Sequence, residues 1–146
     1  MIFRWFCKDR KNKEDDLSLN FKVKEFLNPS TEWHDLTRDQ QQNIKEVVIR
    51  LERLRVLFNK PFIINTVGRN NAGFRTPEQN LLVEGAKNSY HMKGKAVDVH
   101  PVGVDLRTFA LAARDIFGGV ILYEHRRFVH LDIRDLEGNK YHPSFN

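Results

Sequence analysis

The sequence predicts a small single α+β domain with an antiparallel sheet. Ile44, Val47, Val48, Leu51, Leu54 and Phe58 recur at helical spacing. Residues 120–123 and 128–133 are β-rich runs joined by the polar turn 124–127, which is a hairpin signature. A third strand-like segment, 95–100, is set apart from them by stretches that suit helices. Strands and helices mixed in this way favour helices packed on one face of a sheet.

Length and composition bound the rest. At 146 residues the chain suits one domain, and 40% hydrophobic with 29% charged residues is the make-up of an ordinary globule. No apolar run approaches the ~20 residues of a membrane-crossing helix. Cys7 is the only cysteine, which excludes an internal disulfide and a thiolate metal site. Net charge is +5 and the pI about 9.5, favouring anionic surroundings such as cell-wall polymers. The basic residues are scattered rather than set in a stripe with aromatics, so no nucleic-acid partner is expected. A monomer is expected.

Residues 1–16 are expected to be a flexible leader, because 8–16 are wholly polar. Charge returns at Lys8, too early for a signal-peptide core. The domain is expected over 17–146. Leu19, Phe21, Phe26 and Leu27 would dock a short segment on the core, and Pro29 breaks it. Thr37 with Gln40 forms a capping box for the long helix, which ends near Asn59. Its other face, with Lys45, Arg50, Glu52 and Arg53, is expected in solvent. Pro61 precedes a strand, 62–66, and a loop rich in Gly and Asn follows to Gly73. Thr76-Pro77 opens a short helix reaching about Glu84. Asp105 caps another, 106–117, stopped by Gly118-Gly119.

The chemistry lies on two of the strands. Side chains alternate faces along a strand. Asp98 therefore shares a face with Ala96 and His100, while Val97 and Val99 oppose it. His130 and Asp132 likewise share a face, opposite Val129, Leu131 and Ile133. Each strand thus buries an aliphatic set and presents imidazole and carboxylate on its other side. The expected architecture is a metal cleft on one face of the sheet and helices on the other. His91, seven residues before Asp98 with Gly94 between them, adds a second imidazole. If His91, Asp98 and His130 converge, they match a catalytic zinc site, which uses three protein ligands and leaves a position open. Such a site activates water for hydrolysis.

The motif Ser89-x-His91-x-x-Gly94-x-Ala96-x-Asp98, followed by a strand carrying His130, resembles the zinc D-Ala-D-Ala peptidases of the M15 type. Gly73-Phe74-Arg75-Thr76-Pro77-Glu78-Gln79-Asn80 is similar to a further segment of that family, and the likeness runs from about Leu17 to Arg134. The resemblance implies Zn2+ held by His91, Asp98 and His130, with Arg75 binding a substrate carboxylate. It implies a peptidase acting on peptidoglycan stem peptides, of carboxypeptidase or endopeptidase (endolysin) type. The corresponding place is the bacterial cell envelope or a phage lysis or infection protein.

The sequence departs from the family at one point of chemistry. Many members carry an acid three residues before the second histidine, where this chain has Arg127. Two carboxylates are left as general base: Glu124, whose Tyr-Glu context resembles the zinc site of hedgehog signalling domains, and Asp132, on the face of His130. With Glu124 as base, Asp132 would hydrogen-bond a ligand imidazole or the substrate. The same departure leaves open a hedgehog-like zinc-binding module without turnover. Ser89 is expected to fix the His91 loop, and His100 to pack beside the site. His125 is expected in solvent.

Overall fold

The computed structural model describes residues 15–138 and the backbone of 144–145. Most of the expected leader lies outside those residues.

The long helix α1, Arg38–Phe58, starts and stops where its sequence directs. Thr37 accepts from the Gln40 amide, Gln40 returns the bond to the Thr37 amide, and Asn59 closes the helix at φ 48°. Ile44, Val47, Val48, Leu51 and Leu54 are buried as the spacing predicts. Arg50 corrects the solvated-face expectation. Its side chain is largely buried, and its guanidinium grips Asp135 through two bonds of 3.0 and 2.9 Å, with a third to the Ile116 carbonyl.

Three strands carry the sheet's interior: β2 (Ala96–Pro101), β3 (Gly119–Tyr123) and β4 (Phe128–Asp132). Short β1 (Phe62–Ile63) and β5 (Ser144–Phe145) flank them, in the order β1-β2-β4-β3-β5. Every pairing is antiparallel except β3 with β5. The chain is the α+β fold expected, with β5 an addition that the patternless tail does not signal. β1 stops earlier than expected because Asn65 leaves the strand. Its side chain bonds the Leu27 carbonyl and the Ala72 amide instead.

Helix α2 (Pro77–Leu82) has the Thr76/Gln79 capping box and ends before Glu84, whose φ is 54°. Helix α3 (Leu106–Ala113) is a turn shorter than expected; the chain then coils tightly, yet Phe117 stays buried. Leu19 is 94% exposed, whereas Phe21, Phe26 and Leu27 dock as expected.

One sheet face is apolar. Val97, Val99, Val120, Leu122, Val129 and Leu131 are fully buried in a core shared with Leu51 and Leu54 of α1 and Phe109 and Ala110 of α3. Strand alternation turns Asp98, His130 and Ile121 to the other face, where cross-strand register sets them in one row.

Candidate metal centre

His91 belongs to a 3-10 turn, Tyr90–Lys93, which Ser89 opens by accepting from the His91 amide at 3.3 Å. Gly94 closes that turn at φ 73°, where a Cβ would collide with the Gln40 carbonyl of α1. The turn is then bonded to the segment before α2. Arg75 N donates to His91 O (3.2 Å), Asp98 N donates to Ala72 O (2.8 Å), and His91 Nδ1 donates to Gly73 O (2.8 Å). Residues 72–75 are therefore a backbone strut linking the first histidine to the aspartate. Gly73 fits this strut because a Cβ there would strike the Phe26 backbone.

The His91 tautomer follows from its partner. A carbonyl only accepts, so Nδ1 carries a hydrogen there, and Nε2 is the atom that faces Asp98 Oδ1, 3.2 Å away. His130 Nδ1 approaches the same oxygen at 3.0 Å. Its Nε2 meets Asp132 Oδ2 at 2.8 Å. One donor atom from each of His91, Asp98 and His130 lies within 4.8 Å of the others. Donors about 2.0–2.1 Å from a tetrahedral zinc stand roughly 3.3 Å apart, close to these separations. Two nitrogens converging on one carboxylate oxygen need a cation or protons between them. The donor set therefore fits zinc, and Asp132 supplies the acceptor that orients the His130 imidazole.

Titration behaviour carries the same message. Burial disfavours the Asp98 carboxylate, but the charge of His91 and the hydrogen bonds of both imidazoles outweigh it and hold its pKa far below the ordinary value. For His130 burial pushes down, and the hydrogen bonds to Asp132 and Asp98 overcome it, raising the imidazole to about 9. Asp132 is lowered to about 2: burial opposes, while Arg134 and then His130 prevail.

A cavity of about 520 Å³ opens over this row, lined by His91, Asp98, His130, Tyr123, Phe128 and four arginines, Arg69, Arg75, Arg126 and Arg134. Arg75 reaches it as expected but is well occupied. It donates to Asn71 O (2.7 Å), Asn80 Oδ1 (3.3 Å) and Asp98 Oδ2 (3.3 Å). Burial lowers the Arg69 guanidinium below the usual arginine value; Asp98 offsets part of this and the charge of Arg126 adds to it.

The two expected bases are placed elsewhere. Glu124 does not line the cavity. It extends to Arg107 of α3 at 3.2 Å, and helix α3 packs on the apolar side of the sheet. Asp132 is fully buried beneath the site, with both oxygens engaged by His130 and by the amide and guanidinium of Arg134. Among the described residues, the carboxylates that line the cavity are Asp98 and Glu84, the latter at the strained end of α2. Sequence reasoning passed over Glu84, Arg126 and Arg134, because only the folded loops bring them to one wall. Arg69, from the connection between β1 and α2, joins the same wall. His100 turns aside and contacts the Arg127 carbonyl through Nδ1, 2.6 Å away, and His125 is exposed.

A His-Asp-His set that could hold a metal ion therefore stands on one face of a small α+β sheet. The chain matches the Peptidase M15 family over residues 19–132, and it belongs to that family. It is also similar to a probable peptidoglycan L,D-endopeptidase MepK of Haemophilus influenzae, 37% identical over 89 residues, 52% of this chain and 48% of the relative. The Escherichia coli K12 peptidoglycan L,D-endopeptidase MepK is 46% identical over 48 residues, 32% of this chain and 26% of the relative. The match thus spans about half or less of these curated relatives.

Proposed function

We propose that this protein is a zinc-dependent peptidase that hydrolyses peptide bonds in peptidoglycan stem peptides. The observation that carries the reading is the convergence of His91, Asp98 and His130 on one point in the wall of an arginine-lined cavity. Family membership and the named activity of the relatives support the substrate class. A divalent cation held by these residues would supply Lewis-acid polarisation of the scissile carbonyl and acidify water.

The chain's own residues do the rest. Gly73 O fixes the His91 ring with Nε2 toward the metal position, and Asp132 fixes His130 with Nδ1 toward it. Arg75 braces the Asp98 oxygen that faces away from the imidazoles. The surrounding guanidiniums favour a peptide rich in carboxylates. The place of action on this reading is the bacterial envelope or a wall degraded during phage lysis.

The proton acceptor is decided by three variants. Glu124→Gln tests the carboxylate expected from the sequence, which must leave Arg107 to act. Asp132→Asn tests the one behind His130, and Glu84→Gln the one at the cavity lip. The true acceptor is the variant that keeps metal stoichiometry and loses turnover by roughly 10²- to 10⁴-fold.

A second reading, a zinc-binding module without turnover, is favoured by one observation: neither expected base lines the cavity. Purified peptidoglycan separates the two. The peptidase reading expects new amino groups, lost with chelator and restored by zinc, and mass spectrometry of the muropeptides identifies the bond cut. Stoichiometric zinc with no new amino groups would establish the module instead.

A further inference from the structure

Phe128 carries an arrangement that the metal site does not use. The Arg69 guanidinium lies 4.5 Å from its ring centroid and that of Arg126 5.2 Å, both within cation–π range. Tyr123 stacks on the same ring at 4.8 Å. Phe128 is two residues from His130 on the same strand face, about 7 Å along the strand. The arrangement is built rather than incidental. Arg69 is held by a tight loop in which Thr66 and Arg69 exchange backbone bonds of 2.8 and 3.0 Å, and its side chain is partly buried. Among the described residues neither Arg69 nor Arg126 has an ion-pair partner. Of the two carboxylates in the same wall, Asp98 is already shared by Arg75, His91 and His130, and Glu84 makes no ion pair with either arginine among the described residues. Two guanidiniums gathered on one ring beside a third, with no ion pair of their own, repel one another until an anion joins them.

We propose that Arg69 and Arg126, seated on Phe128, form the subsite that takes a carboxylate of the peptide substrate, while Arg75 serves as the brace of Asp98. A carboxylate suits the pair because the planar guanidinium fork meets its two oxygens. The spacing puts the recognised carboxylate within about two residues of the scissile bond of an extended peptide. This subsite rests on the peptidase reading only for the identity of its ligand.

The test uses the zinc-loaded protein and two synthetic probes, L-Ala-γ-D-Glu-L-Lys-D-Ala-D-Ala and the same peptide with its carboxylates amidated. Binding is measured by calorimetry and cleavage by mass spectrometry. Wild type should favour the acid form by roughly 10- to 100-fold, the range of a charged hydrogen bond. Arg126→Gln, at an exposed position, should remove part of that preference and Arg126→Lys less. Arg69→Gln/Arg126→Gln should abolish the preference, with a far larger loss for the acid peptide than for the amidated one. Equal binding of the two peptides by wild type, an intact preference in the double variant, or equal loss of both peptides overturns the subsite. Acid-selective binding that depends on these arginines, without cleavage of any peptide, keeps the subsite and overturns the peptidase. Cleavage without acid preference does the reverse.

Discussion

At the scale of single residues, His130 is the pivot. It is squeezed between two carboxylates, so without metal it binds a proton tightly, with its pKa raised from 6.5 to about 9. A raised folded-state value stabilises the fold below the unfolded value and loses that contribution as pH climbs through the folded one. Metal-free protein should therefore melt at lower temperature at pH 9 than at pH 6.5, and chelated thermal scans check it. Metal must displace this proton, so apparent zinc affinity should rise with pH across the same window, approaching tenfold per pH unit. Asp132 runs the other way: its lowered value, about 2, stabilises the fold above pH 3.8, and that contribution is lost as pH falls toward 2. Asp132→Asn removes the carboxylate that orients His130 and raises its basicity. Zinc affinity should fall by roughly 10- to 100-fold, read by competition with a chromophoric chelator. Unchanged affinity would mean that Asp132 only packs against Arg134.

Elements matter through the places where they touch. β3 lies against Asp132 at Gly119, the residue in register with it, and a Cβ on Gly119 would overlap the carboxylate itself. Gly119→Ala should cost roughly 1–3 kcal/mol as an overpacking change. It should also weaken zinc binding, which a purely structural defect elsewhere in the sheet would leave alone. Helix α1 is tied to the turn after β4 by Arg50 and Asp135. Asp135→Ala removes two of the bonds of a largely buried guanidinium and leaves it Glu46 and the Ile116 carbonyl. Because Asp135 is 41% exposed, we expect a loss of roughly 1–3 kcal/mol by denaturant unfolding, below that of a fully buried pair. A loss under 0.5 kcal/mol would show that solvent replaces the partner.

Across the whole molecule, the candidate metal site joins parts that are distant in the chain: the 72–75 strut, the His91 turn, β2 and β4. A ligand binding only the folded state stabilises it by mass action, about 2.7 kcal/mol at a hundredfold excess over Kd. Zinc should accordingly raise the thermal midpoint of the wild type by several degrees. His91→Ala and His130→Ala should show no such shift. A zinc-dependent shift that survives both substitutions would place the ion elsewhere.

Local features legible in the sequence were those enforced by neighbours along the chain. The capping boxes at Thr37 and Thr76, the apolar face of α1 and the alternation that turns Asp98 and His130 away from Val97 and Val129 depend on bonds within a few residues. The expected His91, Asp98 and His130 set drew on the short stretch from Ser89 to Asp98, whereas the pairing of β2 with β4 decided that His130 stands opposite Asp98. What tertiary structure decided was which charged groups share a wall. Glu124 and Arg107 come from different elements yet pair on the helix side, and Arg69 and Arg75 of the connection between β1 and α2 meet Arg126 of the β3–β4 turn. Long-range Coulomb partners leave no periodic trace in a chain, because their contacts are set by how loops close over the sheet. Side-chain type told which atoms can hold a cation; only the fold could tell which carboxylates remain free to act beside it.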